Sequence, residues 1–146
     1  VADMQASTIA FPTGKILKTK SYYSDVGGGG ATYDILTSAQ YAGTPDGYGD
    51  QLIAGGNIAR LRLDSDIVHA KSYGMKFDGT TNDTAAFTAL VTKGEFKYTI
   101  LFPAGTTVIT SAWIRAGVTI MGFCGVVLRQ KQWNNVRFLI SQQEQV

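Results

Sequence analysis

Apolar and polar positions alternate along Ala31-Thr32-Tyr33-Asp34-Ile35-Leu36 and again along Ile58-Ala59-Arg60-Leu61-Arg62-Leu63. Successive side chains of a strand point to opposite faces, so both runs predict half-buried strands with one wet face. Ser7-Thr8-Ile9-Ala10-Phe11, a Pro12-Thr13-Gly14 turn and Lys15-Ile16-Leu17-Lys18-Thr19-Lys20 predict an extended arm or short strand, a turn and a second strand. Ile67-Val68-His69-Ala70-Lys71-Ser72-Tyr73 predicts another strand. The period then changes. Phe87, Leu90 and Val91 recur at the spacing of one helical stripe within Thr84–Val91, Asp83 stands in the capping position, and Gly94 supplies a stop. Short apolar runs follow at near-regular intervals: Tyr98–Phe102, Thr107–Thr110, Val118–Met121, Val126–Leu128 and Val136–Ile140. Pro103, Gly105, Gly117, Gly122 and Gly125 interrupt them. Such spacing suits a coiled solenoid, in which each face receives one short strand and receives the next one rung higher. No rung buries its apolar side alone; neighbours must stack.

The turns carry most of the 17 glycines. Gly27-Gly28-Gly29-Gly30 has the look of an anion-cradling loop, but no Gly-Lys-Ser/Thr ending follows and the next element is a strand. A glycine-rich hairpin bend is the expectation there. Thr44–Asp50 predicts a surface loop shaped by Pro45, Gly47 and Gly49. Asp64 and Asp66 flank a further turn, where aspartates serve turn chemistry more often than acid/base work.

Composition narrows the function classes. With 45% hydrophobic and 16% charged residues, the chain is of the ordered kind. A net charge of +2 without clustered Lys or Arg excludes a phosphate track, so no nucleic-acid partner is expected. Lys15, Lys18 and Lys20 read as solvated strand positions. One cysteine, Cys124, makes no internal disulfide, and with one histidine, His69, no cysteine–histidine zinc site is expected. Cys124 reads as a buried thiol and His69 as a packed or hydrogen-bonded structural residue. No apolar run is long enough to span a bilayer and no signal peptide is evident, so no membrane insertion is expected. The chain begins with Val1, which suggests a processed or excised piece of something longer.

From Val68 to Val127 the sequence resembles the pectate-lyase-like superfamily, in the form that opens many bacteriophage tailspike β-helices. The resemblance rests on the order Phe77-Asp78-Gly79, Thr81-Asn82-Asp83-Thr84-Ala85-Ala86-Phe87, Leu101-Phe102-Pro103-Ala104-Gly105, Thr107-Val108-Ile109-Thr110 and Val118-Thr119-Ile120-Met121-Gly122. Upstream, Tyr22–Gly29 with Ala31-Thr32-Tyr33, Thr44-Pro45-Asp46, Gly49-Asp50 and Gly56–Leu61 resemble the lead-in of podovirus-type tailspikes. Asn82 stands where the family commonly has Asp, and the chain stops after a few rungs. The resemblance implies a mainly β fold: a small β-rich N-terminal module, a short helix cap, and the first rungs of a right-handed parallel β-helix. The implied division is 1–20 extended arm, 21–66 lead-in module and 67–146 helix-capped β-helix start. The amphipathic helix is expected to close the exposed first rung, with Asp83 as its structural cap.

The same resemblance implies a homotrimer in the phage tail, held by a tail or adaptor protein at its N-terminal region and recognising host surface polysaccharide further along. Cutting a glycoside requires two carboxylates set across the sugar. From Glu95 onward only Glu95 and Glu144 are acidic, so no catalytic residue, metal or cofactor is assigned and no hydrolysis by this chain is expected. The parent is expected to be a capsule or lipopolysaccharide depolymerase, glycosidase or lyase. A small carbohydrate-binding module is the alternative, with Tyr22, Tyr23, Tyr48 and Trp113 as stacking platforms.

Overall fold

A computed structural model describes residues 1–24, 27–63, 65–93, 99–111, 118–122 and 126–130. Asp25, Asp64, Gly94, Glu95, Tyr98, Trp113, Gly117, Cys124, Gly125, Glu144 and the run at 136–140 lie outside them.

The chain opens with a helix, α1 (Ala2–Ala6), and not with an extended arm. Alanine, methionine and glutamine favour a helix, Asp3 lies in its first turn, and Val1 and Met4 are buried. Of the two alternatives for Ser7–Phe11, an extended arm or a short strand, the strand is not formed. The Ser7 hydroxyl donates to Ile9 O and accepts from Ile9 N, both at 3.2 Å, and this local bonding displaces a ladder. The second expected strand is present as β1 (Ile16–Lys18).

β1, β2 (Thr32–Leu36), β3 (Gln51–Leu52) and β4 (Ile58–Leu61) form an antiparallel sheet in the order β1-β2-β4-β3. Its register explains the alternation in the sequence. Tyr33 lies beside Leu17 and Leu61, and Ile35 beside Ala59, all facing the core. Asp34 faces outward beside Arg60, which donates to it at 3.1 Å. That pair is open to solvent and adds little stability. Gly55 and Gly56 turn β3 into β4 with positive φ values of 79° and 72°.

Beyond residue 66 every pairing among the described residues is parallel. β5 (Ile67–His69) gives way to a 3-10 helix at Ala70–Tyr73, so the predicted strand is half as long as expected. There follow β6 (Asp78–Asn82), α2 (Thr84–Thr92), β7 (Thr99–Phe102), β8 (Gly105–Ile109), β9 (Thr119–Gly122) and β10 (Val126–Gln130). They make two parallel sheets, β5-β7-β9 and β6-β8-β10. Thr99 lies beside Thr119 and Gly105 beside Val126, so each later coil advances by twenty or twenty-one positions. Ile67 lies beside Thr99, a longer step, because α2 is inserted into the first coil. This is the start of a parallel β-helix; crossovers between parallel strands of one sheet are right-handed as a rule. His69 is exposed on β5, not packed, because the inward position of that strand belongs to Val68.

Inward residues stack from rung to rung: Val68, Ile100 and Ile120 share one register column. α2 closes the interior at the first rung. Its Phe87 is fully buried and meets Phe102 edge-on at 6.0 Å, and Phe77 meets Phe102 likewise at 5.2 Å. Leu90 and Val91 complete the buried stripe that the sequence predicts.

The glycine run is the hairpin bend expected of it. Ser21 bridges Gly29, and Tyr22 N donates to Gly28 O at 3.0 Å. Its members are not equivalent. Gly27 meets nothing that a methyl group would touch, whereas a methyl on Gly29 (φ 71°) would overlap the Lys71 carbonyl. Gly29→Ala is therefore expected to destabilise the chain by at least about 2 kcal/mol in denaturant unfolding, from backbone strain plus the clash. Gly27→Ala is expected within about 0.5 kcal/mol of wild type; equal effects at the two positions contradict this packing.

Candidate functional site

Three segments meet at Asp83. Its carbonyl accepts from Phe87 N at 2.9 Å, so the first turn of α2 closes on it as expected. Its carboxylate does not cap that helix. Oδ1 accepts from Lys76 N at 2.9 Å, and Oδ2 accepts from Phe77 N at 3.3 Å and from the Thr107 hydroxyl at 2.7 Å. The backbone explains the correction: φ −84° and ψ 5° at Asp83 depart from the extended conformation from which a capping side chain reaches back. Asn82 takes over that local duty, its Oδ1 accepting from Thr84 N at 3.0 Å. Asp83, 2% exposed, instead ties the turn before β6 to β8 of the next coil. Among the described residues, Phe77 is the one non-glycine with positive φ, 58°, and the Asp83 bonds at residues 76 and 77 hold that strained turn.

Asp78, exposed, closes the following turn. The Thr81 hydroxyl at 2.6 Å, Thr81 N at 2.7 Å and Thr80 N at 2.9 Å hold its carboxyl well below the usual carboxylate range. Its bonds therefore persist at neutral pH and are lost only as the pH falls through that lowered value.

A second cluster gathers the aromatic candidates. Tyr22 is buried, and burial pushes its phenol above the ordinary range. Its hydroxyl donates to Tyr48 O at 3.2 Å and accepts from the Gln51 amide at 3.3 Å. Gln51 is wholly buried, donates also to Tyr48 O, and pairs with Gln5 at 2.6 Å. Tyr22 is thus a core residue and no sugar platform. Tyr23 is half-buried, its ring 4.8 Å beneath the Lys76 ammonium and its hydroxyl donating to Gly74 O at 2.8 Å. Tyr48 packs half-buried against the same core. The structure brings these three tyrosines together, but as packing; Trp113 lies outside the described residues.

The acids of the Thr44–Asp50 loop are committed as well, and the loop is no purely surface feature. Asp46 accepts from Tyr48 N at 2.7 Å and Asp50 N at 3.0 Å. Asp50 is 3% exposed, accepts from Leu61 N and the Tyr41 hydroxyl, each at 2.7 Å, and pairs with Lys93. Neither faces a cleft as a glycoside-cutting pair must. Among the described residues no group of three or more His, Cys, Asp or Glu is placed to hold a metal, and no helix is long and apolar enough to cross a membrane. A cleft of about 350 Å³ lies between α1 and Leu17–Ser21; Asp3 lines it, and Asp46, Asp50, Asp78 and Asp83 do not.

Sequence reasoning missed Asp50, Gln51, Lys93 and Thr107. For Gln51 and Thr107 a signal existed, a polar residue at an inward strand position; for Asp50 and Lys93 the partners are too far apart in sequence to be paired by inspection.

Compared with known proteins, the chain matches no family model and no curated sequence. Solved structures do match. The tailspike protein gp49 from Acinetobacter baumannii bacteriophage Fri1, a capsular polysaccharide depolymerase, superposes over 78% of this chain and 21% of its own, with TM-score 0.61 and 21% identity. Pantoea stewartii WceF, a glycan biofilm modifying enzyme with a bacteriophage tailspike-like parallel β-helix fold, superposes over 89% and 21%, with TM-score 0.63 and 20% identity. The fold is that of the tailspike-type parallel β-helix. The second match extends well into the lead-in sheet, since 89% exceeds what the coils alone supply. This chain spans about a fifth of each tailspike-type neighbour.

The Asp83 arrangement separates two roles experimentally. Asp83→Ser keeps a good capping residue but cannot bridge residues 76, 77 and 107; it is expected to cost roughly 3 kcal/mol or more in urea unfolding, against about 1 kcal/mol for a lost cap. A Ser variant as stable as wild type contradicts the bridging role.

Proposed function

We propose that this chain is the base of a tailspike-like protein, with the lead-in sheet and the closed first coils as its structural foundation and host polysaccharide handled on coils further along the parent. The observation that carries this reading is asymmetric closure. α2 plugs the interior at the first rung through Phe87 on Phe102, while among the described residues β9 and β10 stand at the outer positions of their sheets, the side on which a further parallel strand would add. A foundation has this form: one sealed end and one growing end.

The carboxylates support a non-catalytic role for the described part, since Asp46, Asp50, Asp78 and Asp83 each serve backbone or hydroxyl donors. The two neighbours, a capsular polysaccharide depolymerase and a glycan biofilm modifying enzyme, support depolymerase activity in the parent. On this reading the assembled protein is a homotrimer carried on the phage tail, with the N-terminal region toward a tail or adaptor protein. Exposed Ile16 and Leu52, 55% and 62% accessible on the outer face of the lead-in sheet, support an assembly surface there.

Incubation with capsular polysaccharide and a reducing-end assay tests the division of labour. This chain is expected to release nothing, and a parent carrying the further coils to release oligosaccharide. Light scattering after size exclusion is expected to give the mass of three chains. Turnover by this chain alone, or a strict monomer at high concentration, contradicts the proposal.

A further inference from the structure

We infer that the lead-in sheet and the entrance of the β-helix form a single rigid joint, bolted by the Asp50–Lys93 ion pair and seated by glycine–tyrosine contacts. Domains of one chain move relative to each other by default unless their interface is extensive and well packed. Here the covalent link is the short stretch between β4 and β5, yet contacts cross it from three directions.

The bolt comes first. Asp50, on the sheet side, holds Leu61 N of β4 and the Tyr41 hydroxyl, and its remaining charge is met by the Lys93 ammonium just beyond α2. The lid helix is therefore tied at its far end to the sheet. The Lys93 ammonium also lies 5.7 Å from the Tyr73 ring, in the 3-10 helix that follows β5. Asp50 and Lys93 are 5% and 17% exposed at the side chain, so water screens the pair little.

The seats follow. A methyl group on Gly49 would come within 2.6 Å of the Tyr73 ring, and one on Gly74 within 2.6 Å of the Tyr22 ring. Each side thus lends a glycine to receive a tyrosine from the other. The hairpin adds two bonds across the joint: the Tyr23 hydroxyl donates to Gly74 O at 2.8 Å, and the Lys71 ammonium donates to Gly27 O at 3.3 Å. A sheet held at bolt, seats and hairpin cannot swing about its linker. The joint fixes the coil axis relative to whatever holds the sheet, and it stands whether or not the parent is a tailspike.

The test is a distance distribution between spin labels at Lys18→Cys on β1 and Ala85→Cys on α2, both exposed, in a Cys124→Ser chain. Pulsed electron resonance is expected to give one narrow distance. Lys93→Met is expected to produce about a doubling of its width with the far-ultraviolet circular dichroism unchanged, because a buried charge loses its partner; Lys93→Arg is expected to restore the narrow form. If Lys93→Met does not fold, Asp50→Asn, which keeps an oxygen for Leu61 N, gives the same reading. A broad or two-peaked distance in the otherwise unaltered chain overturns the joint, as does an unchanged width in whichever of the two variants folds.

Discussion

A coil of parallel strands has an apolar interior, and at the first rung that interior faces water unless something covers it. Everything else in this chain is arranged around that constraint. The cover is α2, inserted into the first coil so that Phe87 meets Phe102, which Phe77 also meets, at the coil's mouth. Burying an aromatic of this size is worth a few kcal/mol, but only if the helix starts at the right place and angle. Asp83 sets both: its backbone opens the helix, and its carboxylate holds the turn at residues 76 and 77 and the hydroxyl of Thr107 on the next coil. One buried side chain thus fixes lid, turn and rung together.

Much of this was legible in the sequence, for reasons that are local. Phe87, Leu90 and Val91 declare a helical stripe over five residues, and Tyr33 and Ile35 declare a strand of the same length. The repeating short runs declare stacked rungs, because strands so brief cannot bury an apolar face unaided. Asp83 was legible in position but not in use. Its donors sit six, seven and twenty-four residues away, and the backbone angles that turn it from the helix leave no mark in composition. The first twenty residues misled because Ser7 satisfies Ile9 locally, and a serine beside apolar residues looks the same in a strand. Tyr22 misled because its seat is made by Gly74, and a tyrosine near a glycine run looks as ready for solvent as for burial.

The lead-in sheet and the coils are built on different principles, antiparallel with one wet face and parallel with a stacked interior. Their meeting point is correspondingly specialised. Glycines there accept rings at distances that no other residue permits, and the charged pair at Asp50 and Lys93 completes donors already present in β4 and the loop before it. Among the described residues, Asp46, Asp50, Asp78 and Asp83 are spent on holding turns and the joint.

The central claim is that the buried Asp83 carboxylate holds the entrance of the coil closed, and amide hydrogen exchange tests it most directly. Lys76 and Phe77 lie in what sequence alone reads as a polar, turn-rich stretch, where amides exchange freely. Both are expected to be protected to the same degree as Ile100 in β7 and to exchange only when the whole chain unfolds. Fast exchange at residues 76 and 77 beside a protected Ile100 contradicts it.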